Sequence, residues 1–463
     1  MMHALCAVTG CSLLPRSEFK QPQVSIPQQW QNQAVTGNAV ANGQKWWQSF
    51  NDPLLNDLID RALRSNNDLT AATIRVQRAR LQSSLTDTNL TPSVTAAANS
   101  SRSYNLNGGS GSWAHSVSAG ISYELDLWGR LSSLRDAGRW EAEATEVDRR
   151  NTALALIGTT ASAYWQVAFL NQRIAISEAS IATADKTLSL VRTKYNAGAV
   201  SGIELAQAHQ SLAAQRATLT QLQQQRSEAR SALAILFDQA PQNSVPERLQ
   251  LPDGPLPTID AGLPASLLGR RPDLAAAELR LSETLANVDA TTAGFFPAFT
   301  LTGSLGGSSI SLENVLKNPI VTLGMGLTLP FIQWNTAKLT INVSETQYQE
   351  AVVTFRQTLY KALSDVENTL SALVHYRKES VQLELALETA KRAEQLAEIR
   401  YRAGATGVQA WLDQQELRRS AEINLAENRL NRLKNHMKLY QALGGDMGIG
   451  VKAEMERKAG EKS

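Results

Sequence analysis

The second half of the chain repeats the first at a nearly constant offset. Tyr195 in the run KYNAGA corresponds to Tyr401 in RYRAGA, and Trp128 corresponds to Trp334, so each pair lies 206 residues apart (195 to 401, 128 to 334). This period is too long for a solenoid of small repeats. It predicts one domain-sized unit present twice in tandem, each copy with the same order of helices, strands and hairpins.

Composition narrows the function classes. The 463 residues carry a net charge of +2, with acidic and basic residues mixed, which gives no electrostatic footprint for nucleic acid. Aromatic residues make up only 6% of the chain, which favours long packed helices over a compact α/β enzyme. No apolar run reaches about 18 residues, so no transmembrane helix is expected.

Both cysteines lie near the N-terminus, at Cys6 and Cys11. The run from Val8 to Ser12 resembles a bacterial lipoprotein processing box, with cleavage before Cys11. This predicts a signal segment followed by a lipid chain, including palmitate, on Cys11. The leader is short and begins without Lys or Arg, which a start codon further upstream would explain. Ser12 resembles the residue that sends lipoproteins on to the outer membrane.

Four segments carry an apolar residue at every second position, the pattern of β-strands. Two lie in each copy, within about residues 92–127 and 297–333. The alternation is cleanest from Val117 to Leu127 and from Val321 to Phe331. Each predicted strand has roughly 10–13 residues, the length that a tilted strand needs to cross a bilayer.

Two very long helices are predicted, over about residues 130–196 and 337–402, because neither segment contains proline. About 67 helical residues span on the order of 100 Å. Matching apolar heptads on either side of Gly198 predict an antiparallel coiled-coil hairpin, repeated in the second copy. There, Ser380 and Glu394 occupy positions where apolar residues would pack, which predicts a more mobile second hairpin.

Four membrane-length strands are too few to close a barrel, and an open sheet edge cannot exist in lipid. The chain is therefore expected to share its strands with other copies, and three copies supply a closed ring of 12. A soluble β-sandwich edge decorated with helices remains an alternative, because half-buried strands show the same alternation. The long helices favour the channel. The small and polar residues expected to face a wet lumen include Ser118, Gly120, Ser122, Thr322 and Gly324.

Five motifs together carry a family resemblance: WWQSFNDPL at 46–54, LDLWGR at 125–130, RRPDL at 270–274, GFFP at 294–297 and YQALGG at 440–445. In this order, over roughly residues 11–446, they resemble TolC-like outer-membrane efflux factors. The resemblance is to the lipoprotein branch (NodT-type) that serves resistance-nodulation-division pumps.

The resemblance implies a membrane α+β fold. A trimeric 12-stranded outer-membrane β-barrel, with four strands per chain, would continue into a 12-helix periplasmic α-barrel. Its tip would dock on a periplasmic adaptor (membrane fusion) protein and an inner-membrane pump. The implied function is a passive exit duct for drugs or other small toxic compounds, without a cofactor, anchored in outer-membrane lipid and extending into the periplasm.

The resemblance also implies a constriction. In that family inward-coiled helices close the periplasmic end, and acidic rings line it. The helix after the second tip turn usually carries two carboxylates three residues apart. This chain keeps Asp413 but has Ala410 at the first position. Glu204, at the first-copy position that matches Ala410, is expected to supply the missing charge. The alternative is that Asp413 and Glu204 are ordinary solvated helix residues.

The turns between paired helices are the expected adaptor contacts. Small residues permit close approach of a partner, and glycine gives each turn its backbone freedom, so a plain turn is the alternative. The predicted contact residues are Ala197, Gly198, Ala199, Ala403, Gly404 and Ala405.

An enzyme is not expected. The five histidines show no metal-ligand spacing, and no nucleophile signature occurs. A duct for heavy metals or for protein secretion remains open, because it would differ in its partners rather than in the physics of this chain. From another class, a periplasmic coiled-coil scaffold without a barrel also remains.

The expected organisation divides the chain into six segments. They are a signal (1–10), a lipid-anchored extended arm (11–50), repeat 1 (51–237, strands within 92–127 and long helices within 130–237), a proline-rich linker (238–264), repeat 2 (265–445, strands within 297–333 and long helices within 335–443) and a disordered tail (446–463).

Overall fold

The computed structural model describes residues 17–19, 22, 24–32, 45–104, 106, 108, 111–259, 261–262 and 264–445. The predicted signal (1–10), Cys11 and the predicted tail (446–463) lie outside the described residues.

The described residues form long helices and one four-stranded sheet. The elements are α1 (Pro53–Ser65), α2 (Asn67–Asp87), β1 (Ser93–Ser103), β2 (Ser112–Leu125), α3 (Arg130–Asn196), α4 (Gly202–Ile235), α5 (Pro272–Ala293), β3 (Ala298–Ser309), β4 (Ile320–Thr328), α6 (Trp334–Arg402) and α7 (Val408–Ala442).

The chain forms two compact units, and each unit takes segments from both predicted repeats. The first unit comprises residues 1–24, 73–148 and 273–358, and the second comprises 25–72, 149–272 and 359–463. The repeat division itself stays a prediction, because it concerns sequence similarity rather than contacts.

The sheet lies in the first unit and is antiparallel throughout, in the order β1-β2-β3-β4. Its register brings like side chains together: Ala119 opposes Leu305, and Leu305 opposes Val321. One face is therefore apolar, and much of it is exposed, with Leu323 at 83% of its full accessible area. Small and polar residues such as Ser118, which opposes Gly306, alternate onto the other face.

Two strand ends differ from the sequence prediction. The alternation extends to Phe331, but β4 ends at Thr328 and has nine residues, because residues 330–332 form a 3₁₀ turn that begins with proline. Similarly, β2 ends at Leu125 rather than Leu127, where the chain turns into α3.

The motif LDLWGR forms the corner between β2 and α3. The Asp126 carboxylate accepts hydrogen bonds from the backbone N–H groups of Leu131 and Ser132 at 2.9 and 2.8 Å, which caps the start of α3. The Trp128 indole N–H donates to the Pro297 carbonyl oxygen at 2.7 Å. Arg130 pairs with Glu124 at 2.8 Å. The motif thus fixes where the sheet ends and the helix begins.

An ion-pair group ties α5 to α3 within the first unit. The Arg280 guanidinium lies 2.5 Å from an Asp148 oxygen and 3.2 Å from a Glu141 oxygen. Burial, and then the Glu141 charge, raise the pKa of the neighbouring Glu283 carboxyl.

The core of the second unit is aromatic. Tyr164 and Trp165 of α3 are fully buried. Trp46 stacks on Tyr440 with ring centroids 4.6 Å apart. Residues 46–50 form a 3₁₀ turn, so the expected extended arm (11–50) does not stay extended to its end; burial of Trp46 and Trp47 favours the turn.

Gly158 shows why the YQALGG motif needs a glycine opposite it. A Cβ atom on Gly158 would stand 2.1 Å from the Gln441 side-chain nitrogen. That nitrogen donates to the Leu154 carbonyl oxygen at 2.9 Å. The glycine therefore lets α7 approach α3 closely.

Among the described residues, α3 is long and apolar enough by composition to cross a membrane, although no such helix was expected from the sequence. Its 18-residue window has a mean hydropathy of 1.3, and 72% of that window is buried inside the protein. Such burial is the pattern of a core helix rather than of a lipid-facing one.

The hairpin tips as the candidate functional site

Both long hairpins end in the same turn. At the end of α3, the Ala199 N–H donates to the Lys194 carbonyl oxygen at 2.8 Å, and the Gly198 N–H to the Tyr195 oxygen at 2.9 Å. At the end of α6, Ala405 and Gly404 repeat these bonds at 2.9 and 3.1 Å, to Arg400 and Tyr401. This is the Schellman pattern, which closes a helix through a left-handed residue.

The two turn glycines are required by their backbone. Gly198 and Gly404 have φ values of +72° and +73°, and a Cβ built on either would meet no heavy atom within 4 Å outside the adjoining residues. A side chain there would be strained by backbone conformation rather than by lack of space. All six predicted contact residues are exposed: Ala197, Gly198, Ala199, Ala403, Gly404 and Ala405.

The two hairpins pack against each other near their tips, within the second unit. One apolar cluster contains buried residues of all four helices. Its members include Leu188 and Val191 of α3, Ala208 and Leu212 of α4, Tyr401 of α6, and Val408, Trp411 and Leu412 of α7.

Lys194 of the first hairpin holds the end of α6. Its ammonium group donates to the Tyr401 carbonyl oxygen at 2.9 Å and lies 4.2 Å from the centroid of the Tyr401 ring. A cation at a helix C-terminus is favoured by the helix dipole, and one over an aromatic face by the ring quadrupole. Lys194 could not be singled out from the sequence, because its partner lies on the other hairpin.

Glu204 holds the start of α7. Its carboxylate accepts from the backbone N–H of Val408, the first residue of α7, at 3.3 Å. Gly407, the N-cap residue, has no side chain to offer that bond. The predicted constriction residue is therefore half-buried and paired with the helix N-terminus, where negative charge is favoured.

Asp413 lies five residues into α7, about 7.5 Å along its axis from Val408. Its side chain is exposed and accepts from the Gln409 amide at 2.6 Å. Ala410 is exposed on the same helix. The structure thus places both predicted acids near the second tip turn, Glu204 against it and Asp413 beyond it.

Two polar side chains between the helices of the second hairpin, Glu394 and Ser380, have partners. Glu394, at a position where an apolar residue would be expected to pack, pairs with Arg418 at 2.5 Å, and the two side chains are 15% and 19% exposed. Ser380 is buried and donates to the Arg377 carbonyl oxygen at 3.0 Å. An ion pair thus takes the place of an apolar contact at Glu394. The greater mobility of the second hairpin stays a prediction.

Three buried polar atoms near the second tip have no partner among the described residues: the Tyr401 hydroxyl, the Thr406 hydroxyl and the Trp411 indole nitrogen. Burial, and then the charge of Glu204, raise the pKa of Tyr401 above its ordinary value. Buried polar groups without partners are uncommon in native proteins, and burying them costs free energy, so this tip is locally less stable than a fully hydrogen-bonded one.

An exposed apolar sheet face joined to paired long helices with exposed tips defines an outer-membrane channel fold. The chain belongs to the outer membrane efflux protein family, whose model matches residues 58–237 and 263–445. It is an efflux channel protein of the outer membrane. The family and its relatives are channel proteins rather than enzymes.

Relatives and solved structures cover nearly the whole chain. The pyoverdine export outer membrane protein OpmQ of Pseudomonas putida is 31% identical over 96% of this chain and 97% of its own. The cation efflux system protein CusC of Escherichia coli is 29% identical over 95% and 96%. The open-state MtrE channel of Neisseria gonorrhoeae is 30% identical with a TM-score of 0.81, covering 94% of this chain and 99% of that one.

Proposed function

We propose that three copies of this chain form the outer-membrane exit duct of a tripartite efflux system. The observation that carries the proposal is the sheet, whose apolar face is exposed and whose outer strands, β1 and β4, pair on one side only among the described residues. In lipid such edges need partners, and β4 of one copy beside β1 of the next supplies them.

Exposed apolar side chains on the helices of the first unit support the same assembly. Water-exposed protein surfaces seldom carry this many large apolar side chains close together, and such surfaces are usually covered by a partner. They lie on α2 and α6 and include Ile74, Leu81, Leu85, Leu339, Val343 and Val353.

The hairpin tips are proposed to dock a periplasmic adaptor protein and to carry the constriction. A threefold axis turns Asp413 into a ring of three carboxylates, which favours cations over anions in a narrow bore. Glu204 adds charge beside it while it caps α7. The inner-membrane pump supplies the energy, so the duct itself is passive.

The cargo is proposed to be drugs or other small toxic compounds. The relatives are named for cargos as different as pyoverdine and cations, which supports a duct whose selectivity lies in its pump. A heavy-metal or protein-secretion duct is the nearest alternative. Loss of the gene would raise drug susceptibility under the proposal, and metal susceptibility alone under the first alternative.

The lipid anchor on Cys11 is proposed as well. Ser17, six residues further on, donates to the Asp289 carboxylate of α5 at 2.6 and 3.1 Å. These bonds hold Ser17 near the end of α5 that leads into β3. Intact mass of the membrane-extracted protein tests the acyl chains directly.

The first experiment is single-channel conductance of detergent-purified protein in planar bilayers, comparing wild type with Asp413→Ala. Small cation-selective steps that change on substitution support a gated pore with its constriction at Asp413. Conductance steps that do not change on substitution would still support a duct, but with its constriction at residues other than Asp413. No insertion at all contradicts the barrel and favours the periplasmic scaffold.

A further inference from the structure

A cluster of one cation and three rings lies at one end of the β1–β2 pair. Arg102 and Trp113 face each other directly across the two strands. The Arg102 guanidinium carbon lies 4.7 Å from the Tyr104 ring centroid and 5.2 Å from that of Trp113. The His115 ring stacks on Trp113 at 5.5 Å and 11°, and its Nδ1 atom lies 2.9 Å from the Ser100 hydroxyl.

The cluster belongs to the apolar face of the sheet. Side chains alternate along a strand, so Arg102 shares a face with Val94 on β1, and Trp113 and His115 share it with Val117 on β2. These valines are exposed. In the proposed barrel, on which this inference rests, that face is turned to lipid.

The cluster also lies at the end of the sheet away from the helices. Helix α2 leads into β1 at Ser93, and β2 leads into α3 after Leu125, so Ser103 and Ser112 mark the opposite end. Arg102 lies about 27 Å along the strand from Val94, which corresponds to a height of roughly 20 Å for a tilted strand. Because the apolar band of such barrels is about 25 Å tall, Arg102 stands near its outer rim.

Arg102 has no carboxylate within ion-pairing distance among the described residues. Contact with aromatic rings does not use up the N–H donors of a guanidinium, which presents them in a fork that suits a bidentate acceptor. At the outer rim of an outer membrane, the abundant anionic acceptor is the phosphate of the outer-leaflet glycolipid. Aromatic rings at that height accommodate the boundary between apolar chains and polar headgroups.

We propose that Arg102, supported by Tyr104, Trp113 and His115, binds a phosphate group of a phosphorylated outer-leaflet glycolipid. The guanidinium N–H groups donate to the phosphate oxygens, and the rings lie against the sugar and the first acyl carbons. The site ties each protomer to the outer leaflet.

The test is native mass spectrometry of the full-length trimer in detergent, titrated with bisphosphorylated lipid A and, separately, with its dephosphorylated form. The variant is Arg102→Gln, and Arg75→Gln, an exposed arginine on α2, is the matched control. We expect Arg102→Gln to weaken binding of the phosphorylated lipid about tenfold and to leave the dephosphorylated lipid unchanged. Arg102→Lys keeps the positive charge but loses the paired N–H donors of the guanidinium, so its affinity for the phosphorylated lipid should lie between those of wild type and Arg102→Gln.

Four results would overturn the site. Equal binding by wild type and Arg102→Gln would exclude a role for the arginine, and equal loss for both lipids would reduce the cluster to aromatic packing. Loss of the trimer in Arg102→Gln alone would indicate a neighbouring copy as the occupant. Millimolar inorganic phosphate that displaces the lipid would indicate an anion site without lipid specificity. A wild-type protein that is monomeric and forms no channel would instead refute the proposed barrel.

Discussion

Lys194 of the first hairpin lies on the ring face of Tyr401 of the second, with its ammonium nitrogen 2.9 Å from the Tyr401 carbonyl oxygen. The sequence counterpart of Tyr401 is Tyr195, which is 44% exposed, whereas Tyr401 is 1% exposed. The two copies therefore contribute differently to this contact. The first hairpin supplies the cation, Lys194, and the second supplies the buried ring, Tyr401. Together with Glu204, Lys194 holds both sides of the second tip turn.

Replacing Lys194 by Met should loosen the second tip. The substitution keeps the apolar stem and removes a charge-assisted bond to a helix end and a cation–π contact, together about 1–2 kcal/mol. Hydrogen exchange of the amides between 400 and 412 should accelerate several-fold, and mean conductance should rise. Lys186→Met, an exposed lysine on the same helix, is the control. Unchanged exchange in Lys194→Met would show that the contact does not restrain the tip.

Substitutions at the two predicted constriction acids should differ in effect, because Asp413 is an exposed charge whereas Glu204 also caps α7. Asp413→Asn removes an exposed charge and should lower cation preference in planar bilayers while leaving helix α7 intact. Glu204→Gln should lower it too, and should also speed exchange at Val408, because a neutral amide is a weaker acceptor for that N–H. The comparison is Glu388→Gln, at an exposed acid that lies about 20 Å along the axis of α6 from the end of that helix at Arg402. Identical ion selectivity in all three variants would place the constriction elsewhere.

Bulk and backbone strain at the second tip can be tested apart. Gly404→Ala introduces strain at a positive φ with no steric clash, and about 1 kcal/mol of local destabilisation is expected. Ala405→Trp adds bulk at an exposed neighbouring position. If the tips dock an adaptor, Ala405→Trp should abolish drug resistance while the trimer remains assembled, and Gly404→Ala should be milder. Full resistance with Ala405→Trp would argue against contact at this turn.

The sequence predicts regular elements well where periodicity is long and uninterrupted. Helix α3 begins at Arg130 and ends at Asn196 as predicted, because no proline interrupts it and glycine follows it. The early end of β4 was missed, because alternation continues past Thr328 while Pro330 already bends the chain. Alternation records which face is apolar and not where hydrogen bonding stops.

The tip interactions could be predicted only in part. The glycine turns follow from local sequence, since the Schellman pattern needs only neighbouring residues. The pairing of Glu394 with Arg418 and the capping of Val408 by Glu204 join residues from different helices. No periodicity within one helix encodes such a partner, so both acids looked like solvated or misplaced charges.

A last prediction concerns Asp52 and Tyr164 in the core of the second unit. Asp52 is 2% exposed; it accepts from the Leu55 N–H at 3.3 Å at the start of α1 and from the Tyr164 hydroxyl at 3.0 Å. Burial, and then the Asp52 charge, raise the pKa of Tyr164 above its ordinary value of about 10. Removing the hydroxyl in Tyr164→Phe should cost about 1 kcal/mol at neutral pH.

The contribution of Tyr164 to stability depends on pH. Above pH about 10 the unfolded tyrosine loses its proton while the folded one keeps it, so the folded state binds more protons and stability falls as pH rises. Tyr164→Phe lacks this loss. Its unfolding midpoint in detergent should therefore lie below that of wild type at pH 7, and the gap should narrow above pH about 10. Tyr195→Phe, at an exposed ring, should show the same decline of the unfolding midpoint with pH as wild type. The same decline in Tyr164→Phe would show that Tyr164 does not cause it.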